Sequence, residues 1–366
     1  MEADAFLAMQ VADAGDGRSY REIGNRMDPR ELVTNPNEFH RSFRMSAEHA
    51  AAIVELIEED LVFPNQRGKP LSPMQRFCAT MLTFGGANFQ RVTALAMGVS
   101  QFAVRDSIIA TCKGLLRLKP EVVTMPTAVE METTAARLFD RFGLDDFALG
   151  VDGCIMRFED QPRGLPAEKH PQLFWNRKQD YALNVQFVCN DDRVCDLDVG
   201  WHGSAHDSKV WNRSAVKDYM EEQRRFLIAG DSGYPISDIL MKPYSEAECQ
   251  AEVERDGTTT RRRFNAKLSG LRTVMSEHHF GRMKKRFPIL RQLRCHLGLS
   301  QEIIVACTVV YNLLSRWRDP EPEDQIDFVE HEPIIEPLIV QDLDDQLGRR
   351  LRGQAKRDAM RLAMQL

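Results

Sequence analysis

Three strand-like segments in close succession constrain this chain more than any other feature: FALGVDGCIMRF (147–158), YALNVQFVC (181–189) and VCDLDVG (194–200). The second alternates, with Leu183, Val185 and Phe187 on one side and Asn184 and Gln186 on the other, which is the period of a strand and not of a helix. Asn190-Asp191-Asp192-Arg193 is made of turn formers, so the second and third segments join through a tight turn. A helix is expected from about Asp207 through Tyr219, then a short buried strand, FLIAGDSGY, ending at Asp231, and another strand in DILMKPY. Helical sequence containing Glu277 follows.

A three-stranded meander, a helix, a strand ending in an acid and then more helix is the order of an α/β, ribonuclease-H-like domain: a mixed sheet with flanking helices. In that layout Asp152, mid-strand, lies beside Asp231 at the end of an adjacent strand, and a helix crossing the sheet can supply Glu277. An aspartate on its own is most often a turn or capping acid. Inside an apolar strand, however, it is costly to bury unless paired or bound to metal. Hard carboxylate oxygens of this kind suit Mg²⁺ or Mn²⁺. Two such ions about 3.5–4 Å apart would activate a water and stabilise the leaving oxygen of an in-line displacement.

Glu277 is set in an unusual background. It is the only acid between Thr258 and Leu297, among eleven lysines and arginines: Arg261, Arg262, Arg263, Lys267, Arg272, Arg282, Lys284, Lys285, Arg286, Arg291 and Arg294. A salt-bridged surface helix is the plain explanation of such a run. A polyanion held by basic residues and cut at a metal-bound carboxylate is the functional one, with Arg282, Lys284, Lys285 and Arg286 as the phosphate contacts.

The segment before the strands has helical periodicity. Ile53, Leu56, Ile57 and Leu61 share an apolar face, and Ser72-Pro73 opens a helix toward Leu82 as N-cap and first residue. FQRVTALAMGVSQFAVRDSIIATCKGLL resembles a helix-turn-helix: Gly98 at the turn, and Ser100 capping a second helix that bears Phe102, Val104, Ile108 and Ile109. DNA contact and packing or dimerisation are both compatible with that unit. The expected organisation is an N-terminal extension (1–45), an all-α helix-turn-helix-like domain (46–145), a catalytic α/β domain (146–318), an acidic linker (319–346) and a basic C-terminal helix (347–366).

Net charge conceals this division. The formal value is −6, yet residues 319–345 hold eleven acids and no lysine or arginine, which leaves the remainder at +5. That acidic stretch, with apolar anchors at Ile334, Ile335, Leu338 and Ile339, suits a linker or docking segment. The tail RRLRGQAKRDAMRLAMQL is either a solvated terminal helix or a nucleic-acid or partner contact. The eight cysteines form no CxxC pair and are expected to be reduced thiols, not zinc ligands. No apolar run is expected to span a membrane, and no signal peptide is expected at the N-terminus.

Five blocks then carry a resemblance in register: GVDGCIMRF, WNRKQDYALNVQFVCNDD, WHGSAHDSKVWNRSAV, FLIAGDSGYPISDILMKPY and FNAKLSGLRTVMSEHHFGRMKKRF. They resemble successive blocks of the PIF/Harbinger transposases and the nucleases derived from them, from about residue 150 to 315. The resemblance implies a DDE-type catalytic core in which Asp152, Asp231 and Glu277 are the catalytic acids, with Asp207 as an additional metal ligand. It also implies DNA as substrate, nuclear residence, and a Myb-like DNA-binding protein as partner, with a homodimer as a further expectation. Lys284-Lys285-Arg286 is too short to count as a localisation signal. Two departures from the family pattern stand out. Val310-Tyr311-Asn312 replaces a usual Leu-His-Asn, and His278-His279 follows Glu277 where a basic and a small residue are usual. The rival expectations are a catalytically silent DNA- or chromatin-binding protein that keeps the fold, and an enzyme directed at RNA.

Overall fold

The computed structural model describes residues 27–28, 35–62, 70–87, 89–165, 170–322 and 344–364. Its contacts divide the chain into two compact units, residues 1–114 and 115–366.

The described part of the first unit is built from helices: α1 (Pro36–Phe43), α2 (Ala47–Leu56), α3 (Glu58–Leu61), α4 (Pro73–Gly86), α5 (Gln90–Met97) and the start of α6 (Gln101–Val122). Ser72 caps α4 in a reciprocal capping box with Gln75, two orphan donors being satisfied at once. Ile53, Ile57 and Leu61 are buried as their spacing requires, but Leu56 faces solvent, because the short break at Ile57 between α2 and α3 shifts the periodic face. Gly98 ends α5 at φ 62°, where a side chain would be strained, and the Ser100 hydroxyl accepts from the Ala103 amide at 3.1 Å to start α6. Val104 and Ile108 are buried, whereas Phe102 is 70% exposed and Ile109 also faces outward.

The second unit is a mixed sheet flanked by helices. After α7 (Ala128–Phe142) come β1 (Phe147–Phe158), β2 (Ala182–Cys189), β3 (Val194–His202), α8 (Asp207–Trp211), α9 (Ala215–Glu222), β4 (Leu227–Ala229) and β5 (Leu240–Met241). The remainder is α10 (Glu246–Asp256), α11 (Thr260–Arg272), a π turn (Thr273–Glu277), α12 (His278–Arg286), β6 (Gln292–Leu293), α13 (Leu297–Arg316) and α14 (Asp344–Ala363). Strand order is β3-β2-β1-β4-β5, with β6 also on β1; β1–β2 and β2–β3 are antiparallel, and the β4, β5 and β6 pairings are parallel. A core of Phe147, Leu149, Val151, Trp211, Leu227, Ile228, Phe264, Leu268, Leu271 and Met275 joins β1 and β4 to the helices. Each such side chain, fully buried, contributes about 1.5–3 kcal/mol.

Several elements differ from the sequence expectation. The helix expected from Asp207 to Tyr219 is broken after Trp211, since Ser214 prefers to cap α9, accepting from the Val216 amide at 3.3 Å. The fourth strand ends at Ala229, so Asp231 sits in the turn beyond it. All eight residues of β2 are buried, Asn184 and Gln186 included. The expectation that no run is apolar enough to cross a membrane also needs correction. Helix α13 is long and apolar enough by composition, but 78% of its most apolar window is buried in the protein, which makes it a core helix.

Candidate active site

Asp152 lies in the middle of β1 between two glycines, and each glycine makes room for a particular neighbour. A Cβ on Gly150 would stand 2.8 Å from both Met275 Cβ and Ser276 Oγ, so its absence lets the π turn close directly on the strand. A Cβ on Gly153 would stand 2.5 Å from Asp207 Oδ1 and 2.9 Å from Asn184 Oδ1. The Asp207 carboxylate therefore occupies the volume a side chain would need. Asn184, on the neighbouring strand, donates its amide to Asp207 Oδ1 at 2.9 Å and to the Ala205 carbonyl at 3.0 Å. Asp207 opens α8, where the helix dipole favours an acid.

Asp231, just past β4, accepts from the Gly233 amide at 2.8 Å. Its Oδ1 and Asp207 Oδ2 lie 3.1 and 3.4 Å from the position a Gly233 Cβ would take, so two of the acids face each other there. Tyr234 is buried beside them, and its hydroxyl is among the buried polar atoms without a hydrogen-bond partner. Burial, followed by the charges of Asp207, Asp152 and Asp231, raises its pKa well above the usual phenol value.

Glu277 is exposed at the end of the π turn and accepts from the Thr273 hydroxyl at 3.0 Å. The π register is marked by the bond from the His278 amide to the Thr273 carbonyl. In an uninterrupted α-helix, residues five apart are about 140° round the axis from each other. The wider turn brings Glu277 back toward the side that carries Arg272. The Arg272 guanidinium lies 3.2 Å from Asp152 Oδ2, with the two side chains only 15% and 14% exposed. Burial works to lower the Arg272 pKa, but the charges of Asp152, Asp231 and Glu277 outweigh it and the net shift is upward. Asp207 approaches Asp231 at Gly233 and lies against Gly153 beside Asp152, whereas Glu277 reaches the others only through its charge on Arg272.

The oxygen donors fit a hard divalent cation in kind: carboxylates, with the Asn184 amide oxygen buried beside them and lacking a hydrogen bond. Among the described residues, no three His, Cys, Asp or Glu side chains stand at metal-holding spacing. The positive charge next to Asp152 is that of Arg272.

The expected basic contacts separate. Arg282 is exposed and pairs with Glu321 at 2.8 Å, and Lys284 donates to the Ile155 carbonyl at 3.3 Å. Lys285 is half-buried. Arg286 is buried, held by Asp319 Oδ1 at 2.8 Å and the Pro320 carbonyl at 2.8 Å, which is a correction to its expected role on phosphate. His206 meets Arg177 at 2.9 Å just before Asp207. Sequence reasoning missed Arg272 as part of the site, listing it only within a basic run. It also missed Asn184, for which a polar residue in an otherwise apolar strand was the available signal.

Residues 151–312 match the DDE superfamily endonuclease family. The matched segment covers 162 of the 366 residues. It starts within β1 and runs to Asn312, so it contains all four acids. Relatives extend beyond it. The chain is 25% identical over 313 residues to the human protein named "Putative nuclease HARBI1", covering 80% of this chain and 84% of that protein. The Bos taurus protein of the same name is 25% identical over 312 residues, with 80% and 84% covered. "Protein ALP1-like" of Arabidopsis thaliana is 21% identical over 342 residues, with 86% and 78% covered. No solved structure matches.

Proposed function

We propose that this chain is a divalent-metal-dependent DNA endonuclease of the Harbinger type, with a ribonuclease-H-like catalytic domain. The observation that supports the reading is the approach of Asp207 to Asp231 and to the strand bearing Asp152, in a segment that matches the DDE superfamily endonuclease family and also holds Glu277. Asp152, Asp207 and Asp231 would hold Mg²⁺ or Mn²⁺, with Glu277 as the fourth acid. The bound metal would supply Lewis-acid activation of water and of the phosphodiester.

The chain's own residues prepare that chemistry. Asn184 fixes the rotation of the Asp207 carboxylate, and the Gly233 amide fixes that of Asp231. Gly150 lets Met275 and Ser276 of the π turn, which ends in Glu277, pack on the strand that bears Asp152. Arg282, Lys284 and Lys285 on α12, directly after Glu277, are the proposed contacts for strand phosphates. The α5–α6 pair is proposed as a DNA or dimer contact, and a Myb-like DNA-binding protein as a partner. A DNA substrate places the protein in the nucleus.

Plasmid nicking by purified protein with Mg²⁺ or Mn²⁺, beside EDTA and Glu277→Gln controls, tests the reading. Nicking that EDTA stops, and that Glu277→Gln abolishes while DNA binding stays near wild type, supports it. Equal activity in Glu277→Gln sinks it. A second reading, a non-cleaving DNA-binding protein that retains the fold, is favoured by the Arg272–Asp152 pair. Calorimetry with Mn²⁺ separates the two, because a silent scaffold shows no saturable, acid-dependent binding. An RNA substrate in the same assay tests the remaining alternative.

A further inference from the structure

We propose that Arg272 is the resident counter-ion of the acid site, seated among the carboxylates until a divalent cation displaces it, so that its charge sets the metal affinity. The inference rests on the metal-dependent reading above.

The contrast with Arg286 shows what kind of arginine this is. Arg286 is bonded to the Asp319 carboxylate and to the carbonyls of Asp319 and Pro320, as a structural guanidinium with its fork engaged. Arg272 makes a 3.2 Å bond from Nη2 to Asp152, while its buried Nε lacks any hydrogen-bond partner. A guanidinium held so loosely at a buried position is kept there mainly by charge. Asp152 is the carboxylate it touches, at 3.2 Å, and the charges of Asp231 and Glu277 act on it from further off.

Two geometric facts connect it to the site rather than to the fold at large. Arg272 is the last residue of α11, immediately before the π turn that ends in Glu277. The same turn packs on Gly150, two residues before Asp152. A displaced guanidinium therefore has a nearby irregular segment to move with, at a place where π turns often mark function.

The competition follows from electrostatics. A dication and a guanidinium attracted to the same carboxylates repel each other, and in a partly buried site that repulsion is weakly screened. Without metal, Arg272 relieves the repulsion among the acids. With metal, the dication supplies that balance and the guanidinium opposes it. Arg272 thereby stabilises the metal-free site and weakens metal binding.

The test is Mn²⁺ calorimetry on the full chain, with thermal unfolding measured with and without Mn²⁺, for wild type, Arg272→Gln, Arg272→Lys and Asp231→Asn. Arg272→Gln is expected to bind Mn²⁺ about tenfold tighter or more, in line with what one neighbouring charge does to a carboxylate. It should also melt lower than wild type without metal and gain more from Mn²⁺. Arg272→Lys keeps the charge and is expected to bind Mn²⁺ within about twofold of wild type. Unchanged or weaker binding in Arg272→Gln, with wild-type binding still lost in Asp231→Asn, overturns the counter-ion role and leaves the metal-dependent reading standing. Equal tightening in Arg272→Lys overturns it as well, since the effect is then one of bulk and not of charge. Wild-type protein that binds no Mn²⁺ through Asp231 overturns both.

Discussion

His279 and Tyr311, more than thirty residues apart in the chain, are hydrogen-bonded to each other at 2.8 Å. The other ring nitrogen of His279 donates to the Asn190 carbonyl at 2.8 Å, which leaves Nδ1 of the neutral ring to accept from the Tyr311 hydroxyl. Two residues after Glu277, this contact ties α12 to the β2–β3 turn and to α13.

Burial is the first cause that lowers the His279 pKa, from 6.5 to about 4. With the folded value below the unfolded one, the stability from the neutral ring is fully present above pH 6.5. It is lost as pH falls from 6.5 toward 4, and lost no further below that. The full effect is about 3 kcal/mol. Urea unfolding between pH 7 and 4 should show this loss in wild type and a flatter profile in His279→Gln. A double-mutant cycle of His279→Ala with Tyr311→Phe should give a coupling of about 1 kcal/mol. An unchanged pH profile in His279→Gln would remove the histidine from the acid sensitivity.

Gly153→Ala tests whether Asp207 works in the site. The added methyl would stand 2.5 Å from Asp207 Oδ1 and 2.9 Å from Asn184 Oδ1, so the carboxylate must move. Overpacking of this kind costs about 1–3 kcal/mol, which a domain with so extensive a core tolerates. Metal-dependent nicking is expected to fall far more than the melting temperature does, with Asn184→Ala giving a milder loss in the same direction. Full nicking by a folded Gly153→Ala protein would remove Asp207 from the catalytic set.

The strands were legible because alternation and turn residues act locally. LNVQF can be read without knowing what covers it, and so can the turn at Asn190–Arg193. Asp152 stands out in the sequence as a candidate because an acid in an apolar strand has few inexpensive roles. The π turn was not, since it depends on how Met275 and Ser276 meet Gly150 on a strand more than a hundred residues earlier. Arg272 and Arg286 illustrate the same limit. Both lie in one basic run, yet tertiary contacts put one among the acids and lock the other onto Asp319. Local charge pattern says that a cation is present, and only the fold says which anion it meets.

The C-terminal helix gives the last prediction. Sequence left α14 as a solvated helix or a nucleic-acid or partner contact, and the structure packs it within the second unit. A Cβ on Gly353 would meet the Ser237 carbonyl oxygen at 2.5 Å, which shows how closely the helix approaches that turn. The Arg357 guanidinium stacks 3.7 Å over the Tyr244 ring and bonds Glu248 at 2.6 Å, while the Tyr244 hydroxyl donates to Asp358 at 2.6 Å. One turn on, Arg361 bonds Glu252 at 2.8 Å. These basic residues are engaged with acids of the fold and are not presented to phosphate. Arg357→Ala should therefore cost about 3 kcal/mol, the low end for breaking a buried pair because Glu248 keeps some solvent contact. Arg357→Lys should recover only part of that, since an ammonium cannot reproduce the stacked, planar fork. DNA affinity and its salt dependence should stay at wild type in both variants below their melting temperatures. A reduced salt slope with unchanged stability would instead assign the helix to phosphate binding.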